Sequence, residues 1–366
     1  MKALDHNLIV FFQLIRVGIG TDSVNKININ NLDGTDWNAI RMLSDNQGLS
    51  ALVLDGIDLL NTKNDVTIPV SFKLNWIGEV LQNYEQRYKA YEDAIASLAG
   101  FYNQHGYKMM VLKGYSCSLD WPKPIHRPCG DIDIWQFGKW KESDSALSNE
   151  CGIKIDRTHH HHTVFNWKGF TVENHYDFLN VHHHKSNVEL NSILKRLGQD
   201  DSNIVKVKGE SVVLPSPNLN ALFLLRHNMK HFASERLTMR QLLDWGLFVR
   251  NHSNEIDWKW LEKELERFGM KRMYDIFNAI CVGDLGFDVN LFPKVQFDPG
   301  LKDRVLNEII TPEFTGQLPK GFFKRVLFKY KRWRANSWKH ELCYKESMWS
   351  AFWSGVWSHT LKPTTI

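Results

Sequence analysis

The chain has 366 residues, 43% of them hydrophobic and 23% charged, which is typical of a globular protein long enough for two or three domains. A net charge of only +4 does not by itself predict a nucleic-acid partner. The five cysteines are scattered without a C-x-x-C pair, which argues against a disulfide framework or a zinc ribbon and favours a reducing, cytoplasmic location.

Residues 1–105 are predicted to form a helical N-terminal region. The opening apolar run is preceded by Asp5 and His6 and is followed by no small-residue cleavage site, which favours an amphipathic helix over a signal peptide. Asp36 is a predicted N-cap for a helix from Trp37, and residues 72–105 carry apolar side chains at helical spacing. No stretch approaches the roughly 18–20 apolar residues that cross a membrane.

Residues 106–185 are predicted to form a small sheet domain, and residues 186–366 a helical C-terminal region. The pattern therefore indicates an α+β protein, with a small mixed β-sheet flanked by helices. In the sheet domain, the predicted order is a strand at 109–112, a Lys113-Gly114 turn, a short helix from 115, a strand at 131–135, a helix at 139–151, and strands near 153–157, 161–167 and 169–178. In the C-terminal region, helices are predicted from Pro217 and near 238–251, 256–268 and 270–280.

The stretch 127-RPCGDIDIW-135 places two carboxylates, Asp131 and Asp133, in an otherwise apolar strand. Strand residues two apart point to the same face, so the two anions repel each other unless positive charge or water lies beside them. Three interpretations remain open from the residues alone: a solvated strand face, a partly buried ion pair with Arg127, and a metal site. Mg²⁺ prefers carboxylate oxygen, and pairs of such ions serve phosphoryl transfer.

The segment before these carboxylates favours a phosphate site. The strand at 109–112 runs into Lys113-Gly114 and then a helix start. A glycine lets backbone N–H groups approach a phosphate, a helix N-terminus favours an anion, and Lys113 adds positive charge. Together with Asp131 and Asp133 on the next strand, this turn predicts a nucleotide-phosphate site opposite a metal site.

The segment 111-VLKGYSCSLDWPKPIHRPCGDIDIW-135 resembles the core of an uncharacterised bacterial nucleotidyltransferase family, whose pattern runs L-K-G, a short helix, then R-P-x-G-D-I-D. The stretches 36-DWNAIRMLSDNQGLSALV-53 and 239-MRQLLDW-245 extend the resemblance to the flanking helices. That family belongs to the DNA polymerase β-like nucleotidyltransferase superfamily. The resemblance implies transfer of a nucleoside monophosphate (NMP) from a nucleoside triphosphate (NTP) to an acceptor hydroxyl, with two Mg²⁺ ions.

The resemblance also implies roles for individual residues. A third carboxylate is expected in 172-VENH-175, where Glu173 would hold the second ion or act as base toward the acceptor. Arg127 would buttress the carboxylates or touch a phosphate oxygen. The implied catalytic and metal-binding residues are Asp131, Asp133 and Glu173, and the implied nucleotide-binding residues are Lys113, Gly114, Tyr115, Ser116 and Arg127.

Two positions depart from the family pattern. Asn174 replaces an apolar residue, which predicts a less buried strand face there. Tyr115 follows Gly114 where the superfamily commonly has a serine, so Ser116 or Ser118 would have to supply the hydroxyl that touches phosphate. If neither does, the alternative is a catalytically inactive nucleotide-binding or interaction protein that retains the fold.

Two runs of histidine lie near the predicted sheet, at 159–162 and 182–184. No cysteine has a ligand-like spacing to them, so a solvated loop or hairpin edge beside the active site is favoured over a zinc site. If the two runs meet, they would bind Ni²⁺ or Zn²⁺ adventitiously.

Two C-terminal features have alternative interpretations. Arg240 and Asp244 are four residues apart, which suits either a helix ion pair or an arginine that reaches the nucleotide across a cleft. Residues 320–339 contain eight Lys or Arg, no acids and interleaved aromatics, and apolar residues continue to Trp357. Core-packed helices with a basic outer face are favoured here, and a membrane-surface helix or an RNA-contacting arm is the alternative.

Overall fold

The computed structural model describes residues 6–22, 32, 34–61, 68–182, 184–234, 236–294, 296–314 and 319–350. Its α-helices are α1 (His6–Ile19), α2 (Trp37–Gln47), α3 (Ser50–Asn61), α4 (Val70–Val80), α5 (Arg87–Gln104), α6 (Lys113–Ser118), α7 (Trp140–Cys151), α8 (Lys185–Leu197), α9 (Pro217–Ser234), α10 (Met239–His252), α11 (Trp258–Arg267), α12 (Lys271–Gly283), α13 (Pro299–Ile310), α14 (Phe322–Ala335) and α15 (Ser337–Cys343). A π-helical segment, Leu81–Gln86, joins α4 to α5. Within the described ranges, no helix has the length and apolarity to cross a membrane.

The six strands are β1 (Met110–Val111), β2 (Ile132–Trp135), β3 (His162–Trp167), β4 (Phe170–His175), β5 (Ile204–Val207) and β6 (Glu210–Val213). They form one mixed sheet in the order β3-β4-β2-β1-β6-β5. β2 pairs parallel with β4 and antiparallel with β1, while β1 pairs parallel with β6. The hairpins β3–β4 and β5–β6 each turn on a Lys-Gly pair with positive φ, the conformation of a two-residue hairpin loop. The predicted α+β class is therefore confirmed.

The sheet separates two hydrophobic cores. Ile132 and Ile134 of β2 point to one face, where they pack with the apolar side of α5. Trp135 points to the other face and lies 4.7 Å from the Phe178 ring, in the core shared with the C-terminal helices. Because side chains alternate along a strand, Asp133 points to the same face as Trp135. The carboxylates therefore face the C-terminal helices.

Two parts of the sheet differ from the sequence predictions. The predicted strand at 153–157 is wrong: Asp156 forms only an isolated bridge to Val164, because the short segment buries too little apolar surface to extend the ladder. Conversely, β5 and β6 belong to the sheet although they follow residue 185, in the part predicted to be helical. β5 is an edge strand with Ile204 exposed, so its apolar pattern is weak.

The basic tail divides into a packed part and an exposed part. Trp338 of α15 packs against the core, as predicted, and Leu342 and Cys343 of the same helix are buried in the core. The prediction of core packing is wrong for Phe323 and Tyr330 of α14, which are 84% and 52% exposed because basic residues interrupt the apolar positions of that helix. The predicted apolar positions Phe352, Trp353, Val356 and Trp357 lie outside the described residues.

Candidate active site

Three carboxylates come together on two neighbouring parallel strands. Asp131 immediately precedes β2, Asp133 lies within it, and Glu173 lies in β4. Asp133 is directly opposite Glu173 in the parallel register, so both side chains leave the same face of the sheet. Asp131 lines one cavity together with Glu173 and a second cavity together with Asp133. The structure thus brings together the three carboxylates singled out in the sequence.

Lys113 and His175 offset the repulsion between these anions. The Lys113 Nζ atom lies 2.7 Å from Asp133 Oδ1, and His175 Nε2 lies 3.0 Å from the same oxygen. Burial lowers the pKa of Lys113, but Asp133 and Glu173 raise that pKa by more, so the amine is protonated at neutral pH. Burial is likewise outweighed at His175, whose pKa is raised by its hydrogen bond to Asp133 and by the nearby Glu173 carboxylate. The positive charge predicted beside the carboxylates is confirmed.

The three acids differ in their tendency to hold a proton. The pKa of Asp131 is raised, because the cavity walls desolvate its carboxylate and Asp133 adds negative charge. Burial also raises the pKa of Asp133, but Lys113 and the hydrogen bond from His175 leave that pKa lowered. Burial also raises the pKa of Glu173, but His175 and Lys113 outweigh burial and leave that pKa lowered. Asp133 and Glu173 are therefore ionised at neutral pH, the form that a bound cation requires.

Lys113 and Gly114 form the first turn of α6, which begins directly after β1. Lys113 has a φ of +33°, a conformation that costs free energy for a residue with a side chain and that is concentrated at functional sites. A Cβ atom at Gly114 would lie 2.7 Å from the Tyr91 hydroxyl, which donates a hydrogen bond to the Asp131 carbonyl. Glycine at position 114 therefore lets α6 approach the backbone of Asp131.

Gly114→Ala is expected to lower the free energy of unfolding by about 1–3 kcal/mol, the usual cost of overpacking. Tyr91→Phe removes the oxygen that the new methyl group would meet. The double variant should therefore be more stable than the sum of the two single changes predicts. Urea unfolding of the four proteins measures this coupling, and simple additivity would show that Tyr91 is not the obstacle.

Arg127 anchors the segment that precedes the carboxylates. Its Nε and Nη2 atoms donate to the two oxygens of Asp244 at 2.8 and 2.9 Å, and Nη1 donates to the Gly114 carbonyl at 2.8 Å. Trp121 Nε1 donates to Asp244 Oδ1 at 2.8 Å. Arg127 is only 5% exposed, and among the described residues its bonds go to Asp244 and to backbone carbonyls. It therefore supports the turn before the carboxylates and does not bond to Asp131 or Asp133, and its contact with a phosphate stays a prediction.

The side chains of Tyr115 and Ser116 are not among the described groups that line the two cavities at the carboxylates. Tyr115 packs in the core beneath α5, with its ring 6.3 Å from that of Tyr88. Ser116 Oγ donates to the Lys113 carbonyl at 3.0 Å, and Ser118 Oγ donates to the Tyr115 carbonyl at 2.6 Å. Contact of either hydroxyl with a phosphate stays a prediction.

Asn174 lies on the opposite face of β4 from Glu173. The prediction that this face is less buried is wrong, because Asn174 is fully buried. Its amide donates to Asp144 Oδ1 at 2.9 Å, and Thr163 Oγ1 donates to Asp144 Oδ2 at 2.9 Å. A polar partner on α7 therefore takes the place of apolar contacts at this position.

Two cavities meet at the carboxylates, a larger one of about 530 Å³ and a smaller one of about 230 Å³. They share Lys113, Asp131, His227 and His231. The last two residues belong to α9, so the C-terminal helices form the wall opposite the sheet. Arg240 of α10 lines the smaller cavity. Both carboxylate oxygens of its neighbour Asp244 accept hydrogen bonds from Arg127. The pKa of Arg240 is lowered, chiefly because the side chain is buried and also because the positive charge of Arg127 lies nearby.

The larger cavity contains histidines that the sequence analysis did not assign to the site. The prediction of a solvated loop or hairpin edge is wrong for His162, which is buried, with its ring 5.2 Å from that of His175 and 4.2 Å from that of His161. Burial lowers the pKa of His162 to about 4 and that of His161 further, so both rings are neutral at pH 7.

The strand register explains why these histidines point inward. His162 is directly opposite His175 in the β3–β4 hairpin, so its ring shares the face that carries Glu173. The alternation of the 161–167 strand could have given this placement from the sequence. The two histidine runs do meet, since the rings of His160 and His182 lie 5.0 Å apart.

The sequence model of a family described as uncharacterised nucleotidyltransferase matches residues 33–282. This match includes the whole sheet, α2 to α11, all but the last residue of α12, and every residue that lines the smaller cavity. The chain therefore belongs to this nucleotidyltransferase family, and it is a transferase. Comparison with curated proteins and with solved structures gave no match.

Proposed function

We propose that the protein transfers an NMP group from an NTP to an acceptor hydroxyl in a Mg²⁺-dependent reaction, as a member of the DNA polymerase β-like superfamily. Its family supports nucleotidyl transfer as the general reaction. The finer proposal rests on one observation, the convergence of Asp131, Asp133 and Glu173 on a single sheet face beside Lys113. Such carboxylates suit two-ion phosphoryl transfer.

The donor set fits Mg²⁺. Asp133 and Glu173 present carboxylate oxygens within 4.8 Å of each other, and Asp131 lines the larger cavity with Glu173 and the smaller cavity with Asp133. Asp131 and Asp133 would hold one ion, and Asp133 and Glu173 a second. When bound, the ions neutralise charge on the phosphate oxygens and make the acceptor hydroxyl easier to deprotonate.

The triphosphate is proposed to lie against the Lys113-Gly114 turn and in the smaller cavity. Lys113 and Arg240 supply positive charge there, and Arg127 fixes the turn through the Gly114 carbonyl. Tyr115 and Ser116 would contribute backbone groups, because their side chains are engaged elsewhere. The larger cavity then receives the acceptor. Its lining includes three aromatic side chains, those of Phe178, Phe223 and Tyr344.

The reaction proposed at the junction of the two cavities is an in-line displacement. The acceptor oxygen forms a bond to the α-phosphorus, the bond from that phosphorus to the bridging oxygen breaks, and pyrophosphate leaves with the electron pair. Glu173, 24% exposed at its side chain against 4% for Asp133, accepts the hydroxyl proton or binds the second ion. Catalysis of this kind is largely positioning and charge neutralisation.

Lys113→Met is expected to weaken NTP binding about 10- to 100-fold, because a hydrogen bond to a charged group contributes about 1.5–3 kcal/mol. Methionine keeps most of the length of the side chain but removes the ammonium. Lys108→Met, at an exposed lysine that pairs with Asp201, is the matched control. Equal NTP affinity in Lys113→Met and wild type, measured by calorimetry, would exclude Lys113 from the phosphate site.

The direct test of transfer uses an NTP labelled at the α-phosphate and fractions of a cell extract as the source of acceptor. The expected result is a labelled acceptor together with released pyrophosphate, both dependent on Mg²⁺ and abolished by a chelator. If none of the four NTPs labels any fraction, although the protein is folded, the inactive nucleotide-binding alternative replaces this proposal.

A further inference from the structure

Three histidine rings form a compact cluster beside the carboxylates. The ring centroids lie 4.2 Å apart for His161 and His162, 5.2 Å for His162 and His175, and 5.7 Å for His161 and His175. One ring nitrogen from each residue lies within 4.8 Å of those of the other two. All three residues line the larger cavity, so the cluster is accessible from that side.

Protein hydrogen bonds leave this cluster incompletely satisfied. The Nδ1 atoms of His161 and His162 are buried and have no hydrogen-bond partner within the described ranges. A buried polar atom without a partner ordinarily costs free energy, and buried polar groups are therefore usually bonded. An unprotonated imidazole nitrogen in this situation is the donor that a metal ion uses.

The Glu173 carboxylate lies beside two of these three rings. Its Oε2 atom lies 3.6 Å from His162 Nδ1 and 3.6 Å from His175 Nε2. These separations are longer than hydrogen bonds. They are close to the ~3.4 Å between two ligands of a tetrahedral ion whose bonds are about 2.0–2.1 Å long, as for zinc. The Glu173 carboxylate is therefore placed to share an ion with His162 and His175.

The backbone holds these side chains in place without a metal ion. The His161 carbonyl accepts hydrogen bonds from the N–H groups of Tyr176 and Asp177, each at 3.0 Å. His175 Nε2 donates to Asp133 Oδ1 at 3.0 Å, and a metal ion bound at Nε2 takes the place of that proton, while His175 Nδ1 donates to the Asp177 carbonyl at 3.1 Å. Metal-binding histidines ordinarily bond their second ring nitrogen in this way, and the bond fixes the orientation of the ring.

We propose that His161, His162, His175 and Glu173 bind one divalent transition-metal ion of the zinc type. Imidazole nitrogen suits zinc and its first-row neighbours, whereas Mg²⁺ favours oxygen ligands. The site borders the carboxylate pair Asp131 and Asp133 but does not include it. The proposal goes beyond nucleotidyl transfer and does not depend on it, because metal binding is measurable without NTP or acceptor.

The test uses untagged, full-length protein that has been stripped with a chelator and dialysed. Zn²⁺ is titrated in competition with a chromogenic chelator, and Co²⁺ binding is followed by its visible absorption. The variants are His161→Ala and His162→Ala. The controls are His182→Ala, an exposed histidine of the second run, and Asp131→Asn, which changes the carboxylate site alone. A thermal melt with Zn²⁺ or Mg²⁺ checks folding and metal-specific stabilisation.

Wild type is expected to bind one equivalent of Zn²⁺ and to melt at higher temperature with Zn²⁺ than with Mg²⁺. Loss of one ligand should weaken Zn²⁺ by more than the ~100-fold that follows loss of an outer partner. His182→Ala and Asp131→Asn should bind like wild type. If His162→Ala does not fold, His161→Ala decides, since alanine keeps the carbonyl that Tyr176 and Asp177 use. Wild-type affinity in His161→Ala, or loss of binding in His182→Ala, would overturn the proposal.

Discussion

Asp133→Asn is expected to lower the rate of NMP transfer by about two to three orders of magnitude, a loss typical of removing a preorganised electrostatic group. Asparagine has nearly the same shape, but it cannot neutralise Lys113 and His175, which lie 2.7 and 3.0 Å from Asp133 Oδ1. It also removes the carboxylate that is common to both proposed ions. The measurement is the initial rate of pyrophosphate release with wild type and variant at saturating Mg²⁺.

Asp201→Asn is the matched control for this change. Asp201 pairs with Lys108 at the surface, away from both cavities, so its charge is not expected to affect the reaction. Circular dichroism and a melting curve establish that Asp133→Asn is folded. A folded Asp133→Asn protein with a transfer rate close to that of Asp201→Asn would remove Asp133 from the mechanism.

Arg127→Ala is expected to lower the free energy of unfolding by about 3–5 kcal/mol, because it leaves a buried carboxylate without its partner. Asp244 is 4% exposed, and Arg127 bonds both of its oxygens. Burial raises the pKa of Asp244, but Arg127 leaves that pKa lowered, so the pair stabilises the fold above the usual pKa of an aspartate. The difference in the free energy of unfolding between wild type and Arg127→Ala should therefore become smaller as the pH falls below about 4, where Asp244 begins to be protonated.

Urea unfolding followed by tryptophan fluorescence measures this loss. Arg267→Ala is the matched control, since Arg267 pairs with Glu189 and Glu264 but its side chain is 46% exposed, and such pairs contribute at most about 1 kcal/mol. Arg127→Lys keeps the charge but loses the bidentate hydrogen-bond geometry. Its free energy of unfolding should therefore lie between those of Arg127→Ala and Arg267→Ala. Equal unfolding midpoints for Arg127→Ala and Arg267→Ala would show that the buried pair does not stabilise the fold.

Local sequence signals predicted most helices and the inner strands of this fold. Asp36 accepts hydrogen bonds from the backbone at the start of α2, as an N-cap does, and α9 begins at Pro217 as expected. The hairpin at 204–213 was missed because its outer strand is largely exposed. Its Lys208-Gly209 turn repeats the Lys168-Gly169 turn of the β3–β4 hairpin, and this repetition was the available signal.

The carboxylates of the site follow from strand alternation, but their surroundings follow from tertiary contacts. Arg127 and Asp244 are separated by 117 positions, and nothing local indicated that they pair. The positive charge expected beside the carboxylates comes from Lys113, whose Nζ atom lies 2.7 Å from Asp133 Oδ1 because α6 begins two positions after the end of β1. Asn174 was misjudged because its partner, Asp144, comes from α7.

The most direct test of the central claim is titration calorimetry of each NTP with Mg²⁺, on wild type and on the Asp131→Asn/Asp133→Asn double variant. We expect wild type to bind at least one NTP in a metal-dependent manner and the folded double variant to lose that binding. Equal affinity in both proteins, or no binding of any NTP by folded wild type, would contradict the assignment of these aspartates to a metal-bound triphosphate.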